Sequence, residues 1–252
     1  MRKTITIILV CVLATVACVS GYKIFQIMSE YRSGDTTYEN LKKYVSTQPT
    51  DSETESTEFS EQAATTPEQS IIDFDGLSAI NSDIVGWIQL AGSQIDYPIV
   101  QCDNNDYYLE HLFNKEVNSS GCIFLDCRNT SDFSDRNNVI YGHHMKNGSM
   151  FSGITNYKNQ SFYDEHPAFQ LCTPQASYHI EIFAGYVADL QDRAWNTDFN
   201  DETDFSKWMD ERIQKSVFQS NVQPSVKDTI VTLSTCSYEF ENARFVVFGV
   251  IR

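Results

Sequence analysis

The sequence predicts a mainly β domain, a barrel or a sandwich of about eight short strands, preceded by a long non-globular N-terminal region. Three observations lead there. Beyond residue 84, short β-branched and aromatic runs alternate with turn-forming clusters of Gly, Asn, Asp and Ser. Only one later stretch, Asp204 to Val217, has convincing helical spacing, with Phe205, Trp208, Met209, Ile213 and Val217 on one face and charges between them. Before residue 71 the composition changes abruptly, first apolar and then rich in Ser, Thr and Glu.

In chain order, Arg2 and Lys3 precede an uncharged segment from Thr4 to Tyr22, which ends at Lys23. Nineteen such residues can span a bilayer. Positive charge ahead of the span puts the N-terminus inside and the bulk of the chain outside. A cleaved signal peptide is the rival reading, but Ala14-Thr15-Val16-Ala17 is a poor cleavage site embedded in the apolar run. A lipoprotein site at Cys18 fits less well, because Thr15 stands where an aliphatic residue belongs.

Tyr31, Tyr38, Leu41, Tyr44 and Val45 recur loosely as the face of a juxtamembrane helix over 29–45. Ser46 to Ser70 has almost no large apolar residue and reads as a flexible acidic linker. The expected organisation is therefore an anchor over 1–28, a juxtamembrane helix and linker over 29–70, and a folded extracellular domain over 71–252. Deleting the first 70 residues is expected to leave that domain soluble and active.

Within the domain, Ile72, Leu77 and Ile80 mark a short helix up to Asn81. Strands are expected over Val85–Leu90, Gln94–Val100, Gly121–Asp126, Asn138–Tyr141, Ala168–Cys172, Tyr178–Ala188, Thr229–Leu233 and Arg244–Ile251. Asn104 to Phe113, polar and aromatic, reads as helical.

The net charge of −16 shows no basic patch, which excludes nucleic acid as a partner. Five of the seven cysteines lie beyond the apolar segment, an odd number, so at least one of them stays free whatever the pairing. Cys122 and Cys127 lack the second pair a zinc site needs, and with Cys102 and Cys172 they read as small buried hydrophobes. No metal or cofactor is expected.

Two places carry chemistry. Thr229–Leu233 leads through Ser234 and Thr235 to Cys236, and after seven intervening residues Arg244 opens the last apolar run. A thiol at one strand end would thus lie beside a guanidinium, which favours thiolate and can stabilise an oxyanion. The other place is Asn138 to Met145, an apolar strand ending in Gly142, His143 and His144. A histidine at such a turn can move protons near neutral pH. A surface pair or a metal site is the competing reading, although neighbours on a strand point to opposite faces. His111, His166 and His179 read as structural. A nucleophilic thiol, a proton carrier and an oxyanion stabiliser together make up cysteine nucleophilic catalysis.

Those same residues resemble the sortase family, and within it class B. Thr232-Leu233-Ser234-Thr235-Cys236 matches the family's TLxTC run, Arg244 its arginine, and Tyr141-Gly142-His143 the segment bearing its histidine. The likeness extends over Asp83–Arg128, including Val85-Gly86-Trp87-Ile88 and Ile95-Asp96-Tyr97-Pro98, and covers about 72–252. The helix before the last two strands and the helical N-terminal extension are class B features.

The resemblance implies an eight-stranded β-barrel and a membrane-bound transpeptidase on the outer face of a Gram-positive cell. Its partners would be secreted proteins bearing an NPQTN-like or PxTG-like sorting signal, and an amine of peptidoglycan. Cys236 would attack the Thr carbonyl to form a thioester, with His143 moving protons and Arg244 holding the oxyanion. In this family the thiol and imidazole are not a tightly bonded pair, and no Asp is assigned to orient His143. Asn105 and Leu109 resemble class B substrate-contacting positions. Ser234 either contacts substrate or packs at the strand end. Tyr238 stands where some members carry an acid. The alternatives are a secreted cysteine peptidase that only hydrolyses, and a non-catalytic surface-binding module.

Overall fold

The computed structural model describes residues 2–47 and 70–252. Most of the expected linker lies outside the described residues; its two ends do not, and they are not linker-like. β1 (Val45–Thr47) and β2 (Ser70–Ile72) pair antiparallel, with Val45 opposite Ile72. Composition alone misses this, because each short strand obtains its backbone bonds from a partner far away in sequence.

The anchor and the juxtamembrane helix form one element, α1 (Arg2–Leu41), rather than two. No proline divides them, and Gly21 alone costs about 1 kcal/mol, too little to break a helix. By length and composition α1 can cross a membrane. Its C-terminal part packs on the domain: Tyr38 and Leu41 are buried in the main core, and the Tyr38 ring meets Tyr97 edge-on at 5.2 Å. The folded unit therefore reaches back before residue 71.

α2 (Phe74–Ile80) is capped by Asp73, whose carboxylate accepts from the Gly76 amide at 2.9 Å. Eight strands then close a barrel: β3 (Ile84–Gln89), β4 (Asp96–Val100), β5 (Ile123–Leu125), β6 (Asn137–Tyr141), β7 (Ala168–Cys172), β8 (Ser177–Ala188), β9 (Ile230–Cys236) and β10 (Arg244–Ile251). The spatial order is β10-β8-β7-β3-β4-β5-β6-β9, closing back onto β10. β4–β5 and β6–β9 are parallel; the other pairs are antiparallel. Every expected strand is present, with β5 shorter than expected. β9 runs on to Cys236 because β10 stays in register with it to that point.

The helix expected over Asn104–Phe113 is not formed; only a 3-10 turn at Tyr107–Leu109 is. The Asn104 side chain accepts from the Asp106 and Tyr107 amides at 2.9 and 2.8 Å, replacing the bonds a helix would supply. The Tyr108 carbonyl accepts from the Cys122 amide at 2.9 Å instead of from a following turn.

α3 (Gln160–Glu165) is short. α4 (Glu202–Lys215) buries Phe205, Trp208 and Met209 on the outer faces of β8 and β10, against Phe183, Tyr186 and Phe248. Asp201 caps it, accepting from the Asp204 amide at 2.8 Å. Losing the fully buried Trp208 to alanine would cost about 3–5 kcal/mol.

Candidate active site

The site forms where three neighbouring strands end or begin. β9 lies between β6 and β10. Tyr141 pairs with Ser234, and the Gly142 amide donates to the Ser234 carbonyl at 3.1 Å. On the other side Arg244 pairs with Cys236. The thiol, the imidazole that follows β6 and the guanidinium that opens β10 therefore leave the barrel at one rim.

Local sequence explains the geometry. A Cβ at Gly142 would lie 2.4 Å from Ile123 Cδ1 and 2.7 Å from the Phe151 ring, so only glycine lets β6 leave the barrel here. The hydroxyls before the cysteine hold neighbouring chain. Thr232 donates to Asn137 Oδ1 at 2.6 Å, and Thr235 to the Gly142 carbonyl at 2.7 Å. Ser234 Oγ accepts from the Trp195 indole at 3.0 Å.

These elements enclose a cleft of about 310 Å³. It is lined by all the residues singled out from the sequence, namely Asn105, Leu109, His143, Ser234, Cys236 and Arg244. His143 Nε2 lies 2.8 Å from the Leu109 carbonyl. A carbonyl only accepts, so this contact places the proton on Nε2 and leaves Nδ1 as the other ring nitrogen. Leu109 thus both lines the cleft and meets the imidazole through its backbone. His144 turns elsewhere: its Nδ1 lies 2.9 Å from the Cys236 carbonyl. The two histidines do not converge, and among the described residues no cluster could hold a metal ion.

The Arg244 guanidinium donates to the Ala243 carbonyl at 3.1 Å. Among the described residues no carboxylate pairs with it, in a chain of net charge −16. Cys236 is half-buried, and the thiol and imidazole are not hydrogen-bonded to each other. Asn105 Oδ1 accepts from the Cys127 amide at 2.8 Å, which fixes the cleft edge.

Phe124, Leu190 and Trp195 line the cleft without having been singled out from the sequence, and Tyr141 entered there only within the motif around His143. Tyr141 donates to the buried Asp126 at 2.8 Å, and Arg128 grips the same carboxylate. Burial alone would raise the Asp126 carboxyl, but the Arg128 and Tyr141 bonds outweigh it and hold it below the usual range. Burial and the Asp126 charge push the Tyr141 phenol up.

The Trp195 wall is tied down by the nearly buried Asp192. Its carboxylate accepts from the Ala194 amide at 2.8 Å and the Tyr186 hydroxyl at 2.9 Å, with Lys215 at 2.5 Å. A lone tryptophan in the polar stretch Asp189–Asn200 was the one available hint of this wall. After Cys236, the Ser237–Ala243 loop is fastened by Lys158, which contacts Glu239 and lies 3.0 Å from Ser237 Oγ. Tyr238 is exposed, its ring 5.2 Å from that of His144.

Comparison with known proteins is concordant. The family model described as Sortase domain matches residues 88–252. Sortase B of Listeria monocytogenes is 43% identical over 175 residues, covering 69% of this chain and 71% of that protein. Sortase B of Staphylococcus aureus is 33% identical over 253 residues, covering 100% of this chain and 98% of that protein. Among solved structures, a Staphylococcus aureus sortase B–substrate complex superposes with a TM-score of 0.68 at 38% identity, covering 71% of this chain and 84% of that one. With a closed mixed barrel, a cysteine at the end of the penultimate strand and these relatives, the chain belongs to the sortase family, class B, whose members are cysteine transpeptidases.

Proposed function

We propose that Cys236 is the nucleophile, His143 the proton carrier and Arg244 the oxyanion and substrate clamp. One observation carries this assignment. Of the seven cysteines only Cys236 lines the cleft, and His143 and Arg244 line it too. Cys122 and Cys172 are buried, and Cys11 and Cys18 lie on the apolar part of α1.

The reaction runs in two halves. The Cys236 thiolate attacks the carbonyl carbon of a Thr in the sorting signal, and the oxyanion that forms is met by Arg244. The C–N bond breaks as the His143 imidazolium gives its proton to the leaving amine, and a thioester remains. An incoming amine attacks the thioester, its proton passes to His143, and the C–S bond breaks to regenerate the thiolate. The donor is a secreted protein with an NPQTN-like or PxTG-like signal, and the acceptor is a peptidoglycan amine. Support for the donor comes from the Staphylococcus aureus relative solved with a substrate. Asn105, Leu109 and Ser234 contact the signal.

The organisation that goes with this is a single-pass anchor over 1–28 and an extracellular catalytic domain over 71–252, with the described part of the 29–70 segment packed on that domain. The apolar, exposed first part of α1 behind Arg2 and Lys3 supports that topology.

The test uses full-length protein in detergent micelles, quenched peptides carrying either signal, and products read by mass spectrometry with and without added amine. Cleavage after Thr with a Thr–amine product, absent in Cys236→Ala and crippled in His143→Ala and Arg244→Ala, is expected. Hydrolysis alone at high amine would favour the peptidase. No cleavage together with an unreactive Cys236 would favour the binding module.

A further inference from the structure

We propose that the C-terminal half of α1 is a working part of the active site, with Tyr38 a positioning residue that holds His143 through the Leu109 carbonyl. The inference rests on His143 being the proton carrier. Among the described residues the Leu109 carbonyl is the hydrogen-bond partner of the His143 ring, at 2.8 Å. That carbonyl belongs to a loop outside the barrel strands, so something must hold it in place.

Gly121 does. Its φ is +56°, and a Cβ there would lie 2.5 Å from the Tyr108 oxygen and 2.8 Å from the Leu109 oxygen. The Gly121 backbone thus comes so near the carbonyl that meets His143 that no side chain fits between them. Next to it, the Cys122 amide donates to the Tyr108 carbonyl at 2.9 Å.

The Gly121–Cys122 segment is in turn held by α1. The Tyr38 hydroxyl donates to the Gly121 carbonyl and lies 3.3 Å from Cys122 Sγ. Tyr38 is 5% exposed, and burial together with the neighbouring Cys122 keeps its phenol protonated, hence a donor. Further along the same segment, Asn118 Nδ2 donates to the Glu30 carbonyl and the Ser119 amide to the Glu30 carboxylate, each at 2.9 Å. Gly34 gives Ser120 room: a Cβ at 34 would lie 2.9 Å from its Oγ. The path from helix to imidazole is therefore contiguous, from Tyr38 through Gly121 and Leu109 to His143. The first and last links are hydrogen bonds and the middle one is a backbone approach too close to admit a Cβ, and proton transfer is sensitive to small misplacements.

The test compares Tyr38→Phe with wild type as full-length protein in micelles. This variant keeps the ring and its packing and removes only the hydroxyl. Gly121→Ala presses on the Leu109 carbonyl, and Tyr163→Phe, which removes a hydroxyl bonded to Ser220 and absent from this path, is the control. In Tyr38→Phe, kcat for peptide cleavage is expected to fall about tenfold, part of the roughly 10²–10⁴-fold that positioned proton transfer contributes, with KM unchanged. Gly121→Ala should fall further, and Tyr163→Phe should not fall. Alkylation of Cys236 should proceed at the wild-type rate in all three. Unchanged kcat in Tyr38→Phe and Gly121→Ala, a loss confined to KM, or an equal loss in Tyr163→Phe would each overturn the proposal. His143→Ala is run alongside: if it retains activity, the assignment of the proton carrier fails, whereas an inactive His143→Ala with an intact Tyr38→Phe rejects the α1 relay alone.

Discussion

Cys236 and Arg244 are direct partners across the antiparallel β9–β10 ladder. Opposed residues in such a ladder place their side chains on the same face, with Cβ atoms about 4.5–5.5 Å apart. Backbone register therefore places the two side chains next to each other on one face of the ladder. With no carboxylate neutralising Arg244, its charge is free for an oxyanion or a substrate carbonyl. Replacing Arg244 by Ala should lower kcat/KM by about 10²–10³-fold, the usual effect of losing an oxyanion donor. Arg244→Lys should recover only part, because an ammonium lacks the planar fork. Steady-state cleavage of a sorting-signal peptide measures both, and a fully active Lys variant would show that point charge alone suffices.

The Trp195 wall has its own optical readout. Of the three tryptophans, Trp87 and Trp208 are 0% exposed, while Trp195 is half-buried in the cleft. Acrylamide should quench mainly Trp195. Adding saturating sorting-signal peptide to Cys236→Ala, which cannot turn it over, should shield that fluorescence, and Trp195→Phe should abolish the accessible fraction. Quenching unaffected by peptide would mean that the signal does not lie against this wall.

What the sequence made legible, and what it hid, follows from the range of the interactions. The barrel strands carried their own β-branched alternation, so all eight were visible one at a time. Cys236, His143 and Arg244 stood out as candidates because each lies at or just beyond the end of such a strand, beside a glycine or a polar turn, and the fold brings all three to one cleft. The β1–β2 pair was hidden because neither strand has meaning without a distant partner. Asn104 defeated the expected helix through its side chain, which composition does not weigh. The Leu109 carbonyl that orients His143 has no signature at all, since every residue carries a carbonyl. Trp195 acts because Asp192 fixes its turn against α4, a relation that exists only in the fold.

The loop after the nucleophile should respond to acid. Lys158 and Ser237 hydrogen-bond the Glu239 carboxylate and hold it down to about 2, from an ordinary value of 4.5. A carboxyl depressed in the folded state contributes stability above its unfolded value and loses it as pH falls towards the folded one. The contribution of this pair is therefore complete above about pH 4.5 and vanishes towards pH 2. Because both side chains are partly exposed, it amounts to only about 0.2–1 kcal/mol. Glu239→Gln should melt about 1–3 °C below wild type at pH 7, with the gap closing between pH 4.5 and 2. A gap that stays constant with pH would assign the effect to packing.

The packing of α1 also decides where a soluble fragment can begin. Cutting before residue 71 removes Tyr38 and Leu41, each 5% exposed, along with Tyr31 and Val45 from the core edge. Burying a large apolar side chain contributes about 1.5–3 kcal/mol, so Tyr38 and Leu41 alone represent several kcal/mol. That is a large part of the roughly 5–15 kcal/mol by which domains are stable. It also uncovers the Ser120–Cys122 segment. A fragment of residues 71–252 should therefore melt about 6–24 °C below one of residues 29–252, at about 2–4 °C per kcal/mol, or aggregate. The fragment starting at residue 29 removes the apolar face of the anchor and keeps the docked half of the helix, so it should stay soluble. Thermal melts and size-exclusion profiles of the two fragments distinguish the cases. Equal stability would mean that the docked helix is carried by the domain without supporting it, and the first 70 residues would then be dispensable to the fold.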